Sequence, residues 1–183
     1  MVDIFAFAGG RGGAWRVLGS RTVRGEGLPT VESLDMVEEP RDAAILSPAW
    51  VLRGLISNIR YATKAEGEAL RAVQQGLARP QATLAALIPI RKNAAWWGLA
   101  QDERRAIFEE TSHHTAIGLD YLPAIARRLH HGRDLGEPFD FLTWFEYAPE
   151  DAPAFDALVD RLRATREWDY VDREVDIRLA RAA

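Results

Sequence analysis

The chain has 183 residues, of which 48% are hydrophobic, and a formal net charge of −4 from 23 basic and 27 acidic residues. This composition fits one globular domain and excludes both general disorder and an overall basic field for nucleic acid. Because the chain has no cysteine, disulfides, iron–sulfur clusters and thiolate-bound metals are excluded, and any metal must be held by His, carboxylate or Tyr. The six tryptophans favour a large flat ligand or an extensive interface.

The N-terminal sequence MVDIFAFAGGRGG contains an acidic residue, Asp3, and no basic segment, and its apolar run is short. Neither a signal peptide nor a membrane span fits this pattern, so a cytoplasmic location is expected. Residues 2–8 and 15–23 flank the glycines and predict a short β-hairpin. Trp15 occupies the place of the third glycine in a dinucleotide-binding fingerprint, which excludes a phosphate-binding loop.

The next segment is rich in proline and changes to an extended pattern near residue 50. Residues 25–48 show no sustained period and predict a long connection, with one short strand near 43–46. Residues 50–62 are rich in β-branched and aromatic residues and predict a strand. Within it, Gly54 indicates either a bulge or a close approach to a neighbour.

A helix and a second strand are predicted after residue 62. Thr63 and Glu66 match a capping box, and apolar residues at helical spacing continue the helix until Pro80 stops it. Residues 82–92 return to a strand pattern. Proline cannot donate to a β-ladder, so Pro89 predicts an edge position or a bulge.

Residues 109–129 contain two of the four histidines, His113 and His114, ahead of apolar residues spaced by three and four. This spacing predicts an amphipathic helix that ends near Arg127 and follows a charged helix at 101–111. An imidazole at the edge of an apolar wall can bind a metal or haem, and an arginine can hold an anion. A helix cap and a solvated terminal charge are the structural alternatives.

The remaining elements complete an α+β pattern. Residues 139–147 and 168–179 predict strands, and residues 151–165 predict a helix between them. The order of elements predicts one domain of two ferredoxin-like units, at 1–80 and 81–183. Large apolar residues on both strand faces predict that barrel closure or dimerisation covers the open face of the sheet.

Five stretches between residues 50 and 179 resemble, in order, the chlorite dismutase family of haem b enzymes. They are LRGLISNIRYA, IPIRKNAAWW, the thirteen-residue spacing from His114 to Arg127, FDFLTWFEY and EWDYV. The resemblance implies a dimeric α+β barrel, since the short N-terminal part is similar to the compact, dimeric clade. It also implies conversion of chlorite to chloride and dioxygen through an oxoferryl and hypochlorite stage, with detoxification as the role.

The resemblance also assigns the residues on the ligand side of the haem. His114 matches the iron ligand, and Glu167 matches the carboxylate that accepts a hydrogen bond from its other ring nitrogen. Tyr61, Lys92 and Trp96 match residues that donate to the haem propionates. A carboxylate at the ligand's outer nitrogen fixes its tautomer and raises its basicity.

The opposite side of the haem is assigned in the same way. Arg127 matches the distal arginine, whose guanidinium can attract an oxyanion and hold it beside the iron. Gln74 is placed to hydrogen-bond this arginine and limit its movement. Thr143 and Phe145 are expected to line the same cavity.

Other functions stay open at this point. The fold implied by the resemblance also hosts coproporphyrin-haem decarboxylases, although relatives with that activity usually lack the distal arginine, and peroxidases of the dye-decolourising kind. A non-catalytic haem carrier or sensor is another alternative. A non-haem metal could be held by Glu110 and His114 together with His130 or His131.

Overall fold

The computed structural model describes residues 3–39, 44–45, 47–56, 61 and 63–182, and within these residues eight β-strands close into a barrel. The strands are β1 (Ile4–Gly10), β2 (Trp15–Arg24), β3 (Ser33–Glu38), β4 (Trp50–Leu55), β5 (Leu84–Lys92), β6 (Ala126–His131), β7 (Phe141–Tyr147) and β8 (Val171–Arg181). Their order around the barrel is β1-β3-β2-β8-β5-β7-β6-β4, and the pairing is antiparallel throughout.

The helices connect these strands and cover part of the outer surface. They are α1 (Lys64–Val73), α2 (Ala94–Gly98), α3 (Gln101–Arg105), α4 (His114–Leu119) and α5 (Ala152–Arg163). A π-helical segment (Ala106–Thr111) continues α3, and 3₁₀ turns occupy Arg133–Leu135, Pro149–Asp151 and Arg166–Tyr170. Among the described residues, no helix has the length and apolar character needed to cross a membrane.

Two separate cores explain the apolar residues on both faces of the strands. In β7, Phe141 and Phe145 belong to a core between the sheet and the helices, whereas Leu142 and Trp144 belong to the core inside the barrel. Alternate residues of a strand point to opposite faces, so one strand serves both cores. Helix α5, predicted at residues 151–165, packs on the outer core through its buried apolar stripe. Barrel closure, one of the two predicted covers, buries the inner face.

The predicted N-terminal hairpin is wrong. Both strands exist, but β1 pairs with β3 and β4, and β2 pairs with β3 and β8. Strand β3 lies inside the segment predicted as a connection. Ala44 and Ile45 are not in a strand, and the rest of the predicted strand at 43–46 lies outside the described residues. The glycine-rich sequence permits a turn, but pairing with distant strands decides where β1 and β2 lie.

The next two elements are shorter than predicted. Strand β4 ends at Leu55, and residues 57–60 and 62 of the predicted strand lie outside the described residues. The capping box is confirmed, because the Thr63 hydroxyl accepts from the Glu66 amide while the Glu66 carboxylate accepts from the Thr63 amide. Helix α1 ends at Val73, and the chain then turns away, with Ala78 at a φ of 64°.

Gly54 and Pro89 have clear structural reasons. A Cβ at Gly54 would lie 2.6 Å from the Cβ of His130, and β4 keeps a continuous register with β1, so Gly54 marks a close approach and not a bulge. Pro89 is not at an edge, because β5 lies between β7 and β8. The pairing of β5 with β8 instead leaves out Ile88 and Pro89 and resumes at Ile90. The ladder therefore requires no backbone N–H at Pro89.

The long helix predicted for residues 109–129 is wrong. Helix α4 ends at Leu119, a loop with Pro123 follows, and the chain continues as strand β6. Proline lacks a backbone N–H and clashes with the preceding turn, which disfavours a continuous helix here. Arg127 therefore lies on a strand, opposite Phe145 of β7. The charged helix at 101–111 is confirmed as α3 and its π-helical continuation.

Candidate functional site

A cavity of about 310 Å³ lies between the outer sheet face and helices α1, α4 and α5. Its walls are mainly apolar and include Ile88, Ile90, Leu158 and Val159. The cavity is also lined by all nine residues singled out in the sequence: Tyr61, Gln74, Lys92, Trp96, His114, Arg127, Thr143, Phe145 and Glu167. An apolar concave site with a few convergent polar groups is the usual form of a ligand site.

His114 is the first residue of α4 and is held by a carboxylate. Its Nδ1 lies 2.6 Å from Glu167 Oε2, so Nε2 is the ring nitrogen left to bind a ligand. The turn before it is tight, because His113 has a φ of 53°. The carboxylate of Glu109 then accepts from the Thr115 amide at 2.6 Å, which fixes the beginning of the helix.

Glu167 connects His114 with a buried cation. Its Oε1 accepts from Lys92 Nζ at 2.8 Å, and its backbone N–H donates to Ser112 Oγ at 3.0 Å. Burial by itself would raise the pKa of Glu167, but the charges and hydrogen bonds of His114 and Lys92 lower it to about 2. Glu167 is therefore ionised, and its carboxylate draws the proton of the imidazole toward Nδ1.

Lys92 does not have the environment that its predicted role requires. The family resemblance implies that Lys92 donates to a propionate, whereas its ammonium is buried against Glu167 and lies 4.6 Å from the ring centre of Trp96. Its backbone N–H donates to Asp140 at 2.7 Å. Burial lowers the pKa of Lys92, and the negative charge of Glu167 opposes that effect. Lys92 is thus a partner of Glu167.

Two aromatic residues beside His114, Phe108 and Trp168, were not predicted from the sequence to be site residues. The Phe108 ring stacks on the imidazole with centroids 4.4 Å apart, and the Trp168 ring lies nearly parallel to the imidazole at 6.3 Å. Phe108 belongs to the π-helical segment and Trp168 to a 3₁₀ turn. No regular spacing in sequence links them to His114, although Trp168 immediately follows Glu167.

Trp96 presents an unused donor to the cavity. The Asn93 side chain caps α2 and so fixes the turn that carries Trp96. Trp96 Nε1 is buried and makes no hydrogen bond with any described residue. A buried indole N–H ordinarily has an acceptor, so this atom indicates an acidic or carbonyl group of a ligand. Tyr61 packs edge-on against Trp96, and its hydroxyl lies 3.4 Å from an Arg104 nitrogen.

Arg127 enters the cavity from β6 beside Gly118 of α4. An added Cβ at Gly118 would lie 3.7 Å from the Arg127 Cζ, so the small residue leaves room for the guanidinium. Burial lowers the pKa of Arg127, and no carboxylate among the described residues forms an ion pair with it. A half-buried cation without a carboxylate partner among the described residues attracts an anion.

The contact between Gln74 and Arg127 differs in kind from the predicted one. Gln74 Nε2 donates to the backbone oxygen of Arg127 at 2.7 Å, so it holds the strand and not the guanidinium. Thr143 and Phe145 lie on β7 opposite Leu129 and Arg127. This register puts them on the same face of the sheet as the Arg127 side chain.

The non-haem metal alternative finds no support in the part of the chain that the structure describes. No group of three His, Asp or Glu side chains there could hold a metal ion. His130 points into the barrel between Phe5 and Phe7, with ring centroids 5.1 and 5.0 Å away, and so lies apart from His114. The prediction that grouped His130 or His131 with His114 assumed a helix up to residue 129, whereas Ala126–His131 form strand β6.

The donor set instead fits haem. A largely apolar cavity suits the flat macrocycle, His114 has one ring nitrogen free to bind iron, and Trp96 Nε1 can donate to a propionate. Phe108 and Trp168 would keep the plane of the imidazole fixed. The stacked rings and the buried Glu167 together restrict the His114 imidazole to one orientation.

Known proteins resemble this chain in sequence and in fold. A sequence model of the family described as Chlorite dismutase matches residues 31–183. A chlorite dismutase from Ideonella dechloratans is 36% identical over 84 residues, which are 46% of this chain. The match spans only 27% of the length of that relative.

Solved structures extend the comparison to nearly the whole chain. A dimeric chlorite dismutase from Nitrobacter winogradskyi is 60% identical, with a TM-score of 0.90 over 97% of this chain and 99% of that chain. A mutant chlorite dismutase from Candidatus Nitrospira defluvii is 18% identical, with a TM-score of 0.69 over 97% of this chain and 91% of that chain. The second likeness supports the fold alone.

Proposed function

Because the chain belongs to the chlorite dismutase family, we propose that it is an oxidoreductase that uses haem b to convert chlorite into chloride and dioxygen. The observation that carries this proposal is the pairing of His114 with buried Glu167 at one wall of an apolar cavity that Arg127 also enters. The reaction balances within one substrate, since both oxygen atoms of chlorite leave as dioxygen and the chlorine leaves as chloride.

His114 binds the iron through Nε2, and Glu167 keeps the proton of the imidazole on Nδ1. The ionised carboxylate makes His114 a more basic ligand, and Lys92 keeps that carboxylate charged in the buried site. When bound, haem would supply the redox-active iron that the conversion of chlorite requires, with His114 as its ligand. Trp96 and Tyr61 donate to the propionates and so orient the haem.

Arg127 binds chlorite and holds the chlorine-containing anion while the two oxygen atoms combine. Its guanidinium offers several donors in a fixed plane, which suits a small oxyanion. In a cavity shielded from water, this attraction is stronger than at an exposed surface. Thr143, Phe145 and the apolar walls keep water away, which protects the nearby tryptophans and tyrosines from escaping hypochlorite.

The remaining assignments belong to the same proposal. We propose a homodimer, supported by the dimeric chlorite dismutase with 60% identity, and two ferredoxin-like halves at 1–80 and 81–183 within one domain. A cytoplasmic location and a role in detoxification are predictions from the N-terminal residues and the family resemblance.

The test is to titrate the purified protein with haem b, follow the Soret band, and then measure oxygen release from chlorite with an oxygen electrode. We expect stoichiometric haem uptake and about one dioxygen per chlorite, and we expect His114→Ala to lose the haem, the activity or both. Haem uptake without oxygen release would contradict the proposed reaction. Assays with coproporphyrin-haem and peroxide would then separate the decarboxylase and peroxidase alternatives from a non-catalytic carrier.

A further inference from the structure

Within the part of the chain that the structure describes, the strand that carries Arg127 is paired along its whole length on one side only. β6 pairs with β7 from Ala126 to His131, whereas the described pairing of β6 with β4 is confined to His131 and Leu55. Backbone groups at an unpaired strand edge need partners from elsewhere in the chain or from water. Among the described residues, the Arg127 carbonyl accepts from a group outside the sheet, the side chain of Gln74.

The segment that follows α1, residues 74–79, supplies such contacts. Gln74 reaches the Arg127 carbonyl, but this hydrogen bond is exposed to solvent, where water competes for both groups. Further along, the Ala78 amide donates to Glu146 Oε2 at 2.6 Å. Glu146 is buried in the sheet, opposite Ala126, so the segment is anchored to the strand next to β6.

Arg79 joins this segment to the loop that leads into β6. Its Nη1 donates to Gln75 Oε1 at 3.1 Å and to the Pro123 carbonyl at 3.2 Å, and its Nη2 donates to the Ala124 carbonyl at 2.7 Å. Pro123 and Ala124 lie just before the first residue of the strand. The planar guanidinium can hold two neighbouring carbonyls at once, which an ammonium cannot do with the same geometry.

We propose that Arg79 is a positioning residue for Arg127. By tying residues 74–79 to the loop that enters β6, it holds the beginning of the strand and so sets the position of the Arg127 guanidinium in the cavity. This inference rests on the proposed function, because it gives Arg127 the role of anion binding. Arg79 itself does not line the cavity and acts through the backbone.

The test compares three variants with the wild type. Arg79→Ala removes the hydrogen bonds to the Pro123 and Ala124 carbonyls. Arg79→Lys keeps the positive charge but loses the planar guanidinium that reaches both carbonyls. Arg173→Ala is the matched control, because Arg173 donates to the carbonyls of Glu26 and Gly27 at 2.7 and 3.0 Å. It lies on β8, which pairs with β2 and β5 and not with β6. Two quantities are measured: the rate of amide hydrogen exchange in peptides covering residues 121–131, and the dissociation constant of fluoride for the haem-loaded protein.

We expect Arg79→Ala to speed exchange at the beginning of β6 and to weaken fluoride binding by about threefold to tenfold, the range typical of residues that act at a distance. Arg79→Lys should show smaller changes of the same sign, and it carries the test if Arg79→Ala does not fold. Arg173→Ala should leave both quantities at the wild-type value.

Unchanged exchange in both Arg79 variants would overturn the proposal. Faster exchange with wild-type fluoride affinity would also overturn it, since Arg79 would then be a structural tie without effect on Arg127. Failure of the wild type to take up haem would contradict the proposed function instead. In that case the exchange rates alone decide whether Arg79 holds the β6 edge.

Discussion

At the scale of single residues, the site depends on a buried row of three polar groups. The imidazole of His114, the carboxylate of Glu167 and the ammonium of Lys92 are joined by contacts of 2.6 and 2.8 Å. The Lys92 and Glu167 side chains are almost fully buried and that of His114 is 17% exposed. Each group satisfies its neighbour, so the loss of one leaves another without a partner. Stability and ligand orientation are therefore coupled in this row.

The substitution Glu167→Gln tests that coupling. A carboxamide has one acceptor oxygen where the carboxylate has two, so it cannot accept from both His114 and Lys92, and a buried ammonium is left without a counter-charge. We expect haem affinity to fall about 10–100-fold and the free energy of unfolding to fall by about 3–5 kcal/mol. Haem titration and denaturant unfolding measure these quantities.

The double variant Glu167→Gln, Lys92→Met is the control. Removal of the unpaired ammonium should restore much of the stability but not the haem affinity. Recovery of both quantities would show that Glu167 serves Lys92 alone and does not orient His114.

His130 gives a separate prediction about pH. Its ring lies inside the barrel, and burial, opposed by the hydrogen bond from Nδ1 to the Leu142 carbonyl, lowers its pKa from 6.5 to about 4. The unfolded chain binds this proton more readily than the folded chain does. Stability is therefore complete above pH 6.5 and is lost as the pH falls toward 4, by about 3 kcal/mol in total.

Unfolding curves from pH 7 to 4 for the wild type and His130→Phe measure this dependence. Phenylalanine fits the aromatic surroundings of Phe5 and Phe7 and cannot bind a proton, so the loss of stability in this pH range should be much smaller in the variant. Equal losses in both proteins would contradict the assignment to His130. Protonation of Glu167 lowers the stability of the folded protein in a more acidic pH range, between its ordinary pKa of 4.5 and its lowered pKa of about 2.

At the scale of elements, the sequence predicted local structure well where the signal is local. The capping box at Thr63, the helix α5 and the strand β7 depend on residues within one element, and all three are confirmed. The hairpin failed because strand pairing is decided by distant residues. The helix at 109–129 failed because apolar residues at steps of three and four also fit a short helix followed by a loop and a strand.

In the candidate site too, the sequence revealed which residues take part but not how they contact one another. The family pattern found residues as far apart in sequence as Tyr61 and Glu167, and all of them line one cavity. Periodicity could not show that Lys92 contacts Glu167, that Gln74 contacts the backbone of Arg127, or that Phe108 stacks on His114. These contacts arise from the way strands and helices pack, which short sequence patterns do not record.

The close approach of β4 and β6 can be tested with a glycine. A methyl group at Gly54 would lie 2.6 Å from the Cβ of His130 and 3.3 Å from its backbone carbon, so Gly54→Ala must displace one strand. We expect a loss of about 1–3 kcal/mol in the free energy of unfolding. Gly19→Ala in β2 is the control, because an added Cβ there meets nothing within 4 Å. A loss as large for Gly19→Ala would show that strand propensity, and not the clash, causes the effect.

At the scale of the whole molecule, the closed barrel separates two tasks. Its interior is a packed apolar core around Trp144 and Phe7, while its outer face, covered by helices, carries the cavity. The sheet is thus a rigid support on which Arg127, Thr143 and Lys92 stand, and the helices bring His114 and Gln74 to it. A rigid support of this kind keeps the His114 imidazole and the Arg127 guanidinium at a fixed separation.

The central claim is that both oxygen atoms of dioxygen come from one chlorite held beside Arg127. It is tested most directly by giving the haem-loaded protein a mixture of unlabelled chlorite and chlorite labelled at both positions with heavy oxygen, and by analysing the gas in a mass spectrometer. The account predicts unlabelled and doubly labelled dioxygen with almost no mixed product, and more mixed product in Arg127→Ala, where the anion escapes before the atoms combine. Abundant mixed or water-derived dioxygen from the wild type would contradict it.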